Sequence, residues 1–152
     1  MDLLRVQTRR SLAQLHAIGA SVPVRIGIVV IALLANIGFY LPSLPRSTES
    51  LSAVAAMDKI VHILVFALTV WAVGRVAAPL RRFPIGWVAI LALAHGALIE
   101  LIQAAMPTRS ASGWDLLADA AGIALGLVAW RLEQRRSLTL LESETAEVSP
   151  RG

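Results

Sequence analysis

The chain has 152 residues, of which 57% are hydrophobic, with a mean hydropathy of +0.69 and a formal net charge of +4. It is too apolar for an ordinary soluble domain and too short for more than one compact unit. The absence of cysteine excludes disulfides, thiolate metal sites and cysteine nucleophiles. We therefore expect an all-α polytopic membrane protein, a bundle of four transmembrane helices.

Three parts are predicted along the chain. Residues 1–23 mix leucines with arginines, which indicates either a basic amphipathic helix on the inner leaflet or a disordered positive tail. Residues 24–132 form the membrane domain. Residues 133–152 are rich in Ser, Glu and Thr without periodicity, so we expect a disordered cytoplasmic tail.

Four apolar runs within the membrane domain are long enough to cross a bilayer, which takes about 20 mostly apolar residues. They cover residues 26–44, 60–78, 85–106 and 114–130. A soluble four-helix bundle would need wide polar faces on these helices, and the first and third runs have none. Membrane spans are therefore the preferred interpretation.

The basic residues predict how these spans are oriented. Eleven arginines precede the first span, surround the loop after the second or follow the fourth, whereas Arg46, Lys59 and Arg109 fall on the opposite side. By the positive-inside rule both termini lie in the cytoplasm, and residues 46–57 and 107–113 lie outside. The net positive charge thus indicates topology, and no nucleic-acid partner is expected.

The second span opens with three polar side chains. Asp58 and His62 are four residues apart and share a helix face, and we expect Asp58 at the favourable N-terminus of the helix. For Asp58 and Lys59 the alternative is a solvated cap and a lysine that extends to the interface. His62 has no comparable explanation.

The remaining polar side chains lie where the third and fourth spans meet at a polar turn. Gln103 follows Glu100 by three residues, so these two share a face of the third span. Arg109 lies at the tip of the predicted helical hairpin. The spacing in the fourth span places four residues on one side of the helix: Asp115, Asp119, Gly122 and Gly126.

Together the polar residues of the outer half predict one outward-opening pocket, made of Asp58, Lys59, His62, Glu100, Gln103, Arg109, Asp115 and Asp119. Ionisable side chains inside a span are costly, so several at one depth imply compensation or function. One interpretation is an ion-pair network that holds the helices together. The other is a site in which Arg109, Lys59 and His62 receive an anionic lipid head group while the carboxylates orient them.

Two other functions stay open. His62 beside Glu100 or Asp119 offers the acid and base of a lipid phosphate hydrolase, although the chain has no serine or cysteine nucleophile motif. A mid-membrane histidine, His95, continues inward from Glu100 and suits a proton or ion carrier. No complete set of metal ligands is evident, so we expect neither metal nor cofactor.

The depths of Glu100 and Asp119 also lead to an expectation. Both carboxylates are predicted at a similar depth in the membrane, where two ionised groups would repel each other. Either one is protonated or both share a cation. Lys59 and Arg109 are the candidate cations, and Asp115 competes for them.

At these residues the chain resembles the VanZ-like family. The shared pattern is D-K-x-x-H opening one span, E-x-x-Q near the end of the next, then R, then D before a glycine-spaced helix, over about residues 55–130. The family commonly has Asn where this chain has Asp119. The positions that fit are Asp58, Lys59, His62, Glu100, Gln103, Arg109, Asp115, Gly122 and Gly126.

The resemblance implies a small integral membrane protein of the bacterial cytoplasmic (inner) membrane that acts at the cell envelope. A named member of the family confers low-level resistance to the glycopeptide teicoplanin, and the family pattern implies no established reaction and no cofactor. With the open pocket, it favours membrane lipids as partners, including a polyprenyl-linked cell-wall precursor. A homo-oligomer stays open.

Overall fold

The computed structural model describes residues 21–41, 51–77, 84–107 and 112–148, without the side chains of residues 51–55 and 137–148. Within these ranges the chain forms α-helices and no strand, which confirms the predicted all-α class. Helix α1 is Val22–Ile37 and continues into a 3-10 turn at Gly38–Tyr40; α2 is Leu51–Ala77, α3 is Ile85–Ala104 and α4 is Gly113–Val148.

Three helical segments are long and apolar enough to cross a membrane, namely Val22–Tyr40, Ala56–Ala77 and Ile85–Ala104. No more than 28% of each apolar stretch is buried inside the protein. Large apolar side chains cover the surface instead, and Leu101 is 71% exposed. Such a continuous apolar surface is unfavourable in water and favourable in lipid. The chain is therefore a multi-pass membrane protein.

Helix α2 begins earlier than its apolar run predicts, at Leu51 rather than at residue 60. The seven residues before Asp58 are mainly Ala, Leu and Met, which favour helix although they are not all strongly hydrophobic. Asp58 consequently lies two turns inside α2, and the expectation that it sits at the helix N-terminus is wrong. The predicted loop over residues 46–57 is correspondingly shorter.

Helix α4 continues to Val148, whereas the sequence predicted a span ending at residue 130 and disorder from residue 133. The segment after Leu132 is rich in Glu, Gln, Arg and Leu, all good helix formers. Amphipathic periodicity is not required for a helix of this composition, and its absence was the reason for expecting disorder. Residues 1–20 and 149–152 lie outside the described residues.

Consecutive helices run antiparallel, because Arg25 at the start of α1 bonds Arg75 at the end of α2, and Glu100 near the end of α3 bonds Ser112 just before α4. Helix α2 packs against each of the other three. Helices α2 and α4 are parallel, because Lys59 contacts Asp115 at one end of their interface and Arg75 contacts Glu133 at the other. In the described ranges α1 does not pack against α4. Helix α2 is therefore the central element of the bundle.

Two glycines let α2 and α4 approach closely. A Cβ atom on Gly122 would lie 2.5 Å from the carbonyl oxygen of Ile63, and one on Gly126 would lie 2.6 Å from the carbonyl oxygen of Ala67. A backbone oxygen cannot move aside without shifting the helix that carries it. Small residues four apart are typical of close helix contacts in membranes. We call this contact the glycine seam.

A third glycine lies further along the same interface. A Cβ on Gly74 of α2 would come within 2.7 Å of Cδ1 of Trp130 on α4. The indole ring of Trp130 thus lies directly against the α2 backbone, one helical turn before the Arg75–Glu133 contact.

The apolar core lies beside the glycine seam. Phe66 and Val70 of α2 are fully buried and contact Ile99 of α3 and Ile123 of α4. Phe39, from the 3-10 turn after α1, joins the same core. The core therefore joins all four helices and fixes the depth of the 3-10 turn, which touches the polar site described below.

Candidate functional site

The structure brings five of the predicted site residues together at one end of the α2–α4 interface. We call them the polar cluster: Asp58, Lys59, His62, Asp115 and Asp119. The glycine seam continues directly from this cluster, because Asp115, Asp119, Gly122 and Gly126 occupy one face of α4. Close packing of the seam thus turns both aspartates toward α2.

Lys59 and Asp115 form the outermost contact of the polar cluster. The Lys59 Nζ donates a hydrogen bond of 3.0 Å to Asp115 Oδ1. The Asp115 side chain is 6% exposed, whereas that of Lys59 is 36% exposed. The Lys59 side chain therefore extends between the buried Asp115 carboxylate and the surface of the bundle.

His62 and Asp119 form the innermost contact, and both side chains are fully buried. His62 Nδ1 lies 2.7 Å from Asp119 Oδ1. An ionised carboxylate only accepts hydrogen bonds, so Nδ1 carries the hydrogen and donates it. In a neutral ring this leaves Nε2 as an acceptor, and Nε2 has no hydrogen-bond partner among the described residues.

The second carboxylate oxygen of Asp119 contacts another helix. Its Oδ2 atom lies against Gly96 of α3, where any Cβ would collide with it, and Oδ2 has no hydrogen-bond partner in the described part of the chain. The sequence left two possibilities for Glu100 and Asp119, protonation of one or a shared cation from Lys59 or Arg109, for which Asp115 competes. In the structure Lys59 pairs with the competitor, Asp115, and the partner found for Asp119 is His62.

Glu100 and Gln103 flank the polar cluster and bind backbone groups. Glu100 Oε2 accepts a 2.6 Å hydrogen bond from the backbone N–H of Ser112, which ties the end of α3 to the start of α4. Gln103 Nε2 donates to the carbonyl oxygen of Phe39 at 3.1 Å and so holds the 3-10 turn. Both side chains are buried and connect elements of the bundle. Arg109 lies outside the described residues.

Asp58 belongs to a grouping that sequence reasoning missed. Asp58, His62 and Asp115 each present a donor atom, and these atoms lie within 4.8 Å of one another. The spacing of Asp58 and His62 by one helical turn was visible in the sequence. Asp115 comes from a different helix, and no local sequence pattern indicates that it completes the group.

His95 lies apart from the polar cluster in its hydrogen bonding. Its Nε2 is 2.8 Å from the hydroxyl of Tyr40, and its ring lies 6.0 Å from that of Phe66, centroid to centroid. No hydrogen bond within the described ranges joins His95 to a carboxylate of the cluster. These contacts give no continuous proton path from Glu100 to His95.

The opposite end of the α2–α4 interface holds a second group of polar side chains, which we call the arginine end. Arg75 Nε lies 2.8 Å from Glu133 Oε1, and Trp71 Nε1 donates to Glu133 Oε2 at 2.9 Å. The Arg75 guanidinium lies 4.8 Å from the Trp71 ring centroid. Arg25 of α1 donates to the carbonyl oxygen of Arg75 at 3.1 Å. This network was not predicted.

No family model, curated protein or solved structure matches the chain. The resemblance to the VanZ-like family accordingly stays a prediction from the residues named above.

Proposed function

We propose that α4 supplies a fourth membrane span, over about residues 114–132. The α2 span Ala56–Ala77 is paired with α4 from Asp115 to Glu133, in parallel, so the two segments occupy the same depth. Leu125 and Val128 on α4 are more than half exposed, as lipid-facing side chains are. The two aspartates that lower the hydropathy of α4 have hydrogen-bond partners in Lys59 and His62.

In this arrangement the polar cluster faces the outside of a bacterial cytoplasmic membrane and both termini are cytoplasmic. The support is the distribution of eleven basic residues against three, together with the antiparallel course of consecutive helices. Because the chain lacks cysteine, single cysteines at Ser50 and Ser149 report topology directly. A membrane-impermeant thiol reagent should label the first position from outside and not the second; labelling of the second from outside contradicts the proposal.

The cluster functions, in our proposal, as a binding site for an anionic lipid head group. The observation that carries this is the partly exposed Lys59 side chain, whose ammonium group is bonded to buried Asp115 near the end of a membrane span. A phosphate oxygen that approaches from the interface meets this charge-assisted donor first. Arg109, at the predicted tip of the adjacent hairpin, adds a second cation. A lipid-linked cell-wall precursor, and with it a role in glycopeptide resistance at the cell envelope, fits this chemistry.

Lipid retention tests the head-group site. Lys59 is the single lysine of the chain, so Lys59→Met removes one ammonium group and no other side-chain amine. Arg131→Met is the matched control, because Arg131 is an exposed cation at the other end of the bundle. Mass spectrometry of the purified proteins should find at least tenfold less anionic lipid on Lys59→Met and unchanged lipid on Arg131→Met. Equal lipid on both variants contradicts the proposal.

A lipid phosphate hydrolase is the second candidate, and the His62–Asp119 pair favours it. Asp119 accepts a hydrogen bond from Nδ1 of His62. The other ring nitrogen, Nε2, can then accept a proton from water during attack on a phosphate ester. Phosphate release from polyprenyl phosphate or pyrophosphate by the purified protein, lost in His62→Ala, would establish this activity. Binding without release supports the head-group site alone.

A further inference from the structure

We propose that Asp58, His62 and Asp115 bind a divalent first-row transition-metal cation such as Zn²⁺, and that Asp119 positions His62 for this role. The site is independent of whether the protein binds lipid, although both sites use Asp115. Three observations support it: the spacing of the donors, the hydrogen bonding of the imidazole ring and the charge of the cluster.

The spacing of the three donors is close to that of a metal site. Their ligand atoms lie within 4.8 Å of one another. Ligands of one tetrahedral Zn²⁺ ion bind at about 2.0–2.2 Å, so two of them lie about 3.3–3.6 Å apart. The donors must therefore close by at most about 1.5 Å, and Asp58, which is only partly buried, has room to move.

The hydrogen bonding of the His62 ring matches that of metal-bound histidines. Such a histidine donates its other ring N–H to a carboxylate, which fixes the tautomer and raises the basicity of the ligating nitrogen. Asp119 Oδ1 accepts that hydrogen bond at 2.7 Å, in a fully buried pair. Nε2 is then a buried lone pair with no partner among the described residues, and a metal ion supplies one.

The charge of the cluster also favours a cation. With His62 neutral, as a ring that binds a metal through Nε2 must be, the carboxylates of Asp58, Asp115 and Asp119 are opposed in the described part of the cluster by Lys59 alone. The surplus is two negative charges within a membrane span, where an uncompensated charge is costly. A divalent cation neutralises this surplus.

The ligand types narrow the choice of metal. Two carboxylates and one imidazole form a mixed oxygen and nitrogen set, which suits Zn²⁺ and its first-row neighbours better than Ca²⁺ or Mg²⁺. Three protein ligands leave a coordination position open to water or to an anionic oxygen, as in catalytic zinc sites. The open position gives the cluster a Lewis acid beside the Lys59 ammonium.

Metal titration of the full-length protein in detergent tests the site. After chelation and removal of the chelator, calorimetric titration with Zn²⁺ should give one site per chain, and elemental analysis should give the same stoichiometry. His62→Ala and Asp115→Asn should each weaken binding by at least tenfold. His95→Ala and Glu133→Gln are matched controls outside the cluster and should bind as the wild type does.

Three further variants extend the test, and one of them, at partly buried Asp58, keeps it informative where a buried change prevents folding. Asp58→Asn alters a partly buried carboxylate and should weaken Zn²⁺ binding by at least tenfold in a folded protein. Asp119→Ala should weaken binding by about 10- to 100-fold, whereas Asp119→Asn, whose amide oxygen still accepts from Nδ1, should recover most of it. Recovery by the amide distinguishes positioning of the imidazole from a ligand role for Asp119.

Lys59→Met separates this site from the head-group site. Removing the ammonium leaves the metal ligands intact and makes the cluster more negative, so Zn²⁺ should bind equally or more tightly while anionic lipid is lost. Absence of stoichiometric Zn²⁺ binding in the wild type, or equal losses in His62→Ala and His95→Ala, overturns the metal site and leaves the head-group proposal intact.

Discussion

The two ends of the α2–α4 interface both pair charged side chains, but they bury them to different extents. At the arginine end, both oxygens of Glu133 have donors, and its side chain is 37% exposed. In the polar cluster the inner pair is fully buried, and His62 Nε2 and Asp119 Oδ2 lack partners among the described residues. The arginine end also has buried atoms without a hydrogen-bond partner among the described residues, namely Arg25 Nε and Trp130 Nε1. The difference between the ends is therefore one of burial: the unpartnered atoms of the polar cluster belong to a fully buried pair of ionisable groups, whereas the ion pair of the arginine end is partly exposed.

The largest effect should come from breaking the inner pair of the polar cluster. His62→Leu leaves the buried Asp119 carboxylate without its donor, and loss of one member of a buried pair typically costs about 3–5 kcal/mol. Unfolding in detergent with a chelator present measures it. Asp119→Asn keeps an acceptor for Nδ1 and should lose much less stability. If the two variants are equally unstable, the hydrogen bond is not the source of the loss.

A smaller loss should follow from overpacking the glycine seam between the two ends. In Gly122→Ala the new methyl group meets the Ile63 carbonyl oxygen, and we expect a loss of about 1–3 kcal/mol. Gly86→Ala in α3 is the control, because a Cβ there has nothing within 4 Å. Its stability should stay unchanged or rise by up to about 1 kcal/mol. Thermal melting of both variants in one detergent decides the outcome.

The polar cluster should respond to Gly96→Ala while the arginine end does not. The methyl group takes the space of Asp119 Oδ2, so Asp119 must rotate away from His62. Nitrogen NMR of the labelled histidines should show a change at His62 and little change at His95. A comparable perturbation of the Trp71 indole signal would mean that the two ends are not independent.

The smallest effect should come from the arginine end itself. Glu133→Gln retains an acceptor for Trp71 and removes a partly exposed charge, and exposed ion pairs contribute about 0–1 kcal/mol. Raising the salt concentration should reduce even this difference between the variant and the wild type. A loss as large as that of His62→Leu would contradict the contrast drawn between the two ends.

The sequence predicted which faces are polar, but not which residues meet across them. Helical periodicity placed Asp115 and Asp119 on the glycine face of α4, but the close packing of that face against α2 was not predicted. Periodicity could not place Asp119 opposite His62 rather than Lys59, because that depends on the axial offset of two helices far apart in sequence. The start of α2 at Leu51 was missed because hydropathy measures apolarity and not helix formation.

Gly74 and Trp130 also determine that offset. One turn of slip, about 5.4 Å, in one direction would carry Asp119 to the position of Asp115 and Gly126 to that of Gly122, so Lys59 would still meet a carboxylate and Ile63 a glycine. The same slip would place Ile123 opposite His62 and would carry Trp130 to where Gly126 lies against the Ala67 carbonyl oxygen, a place where even a Cβ does not fit. The bulky Trp130 ring, which lies against Gly74, therefore opposes this register at one end of the interface as the His62–Asp119 pair opposes it at the other.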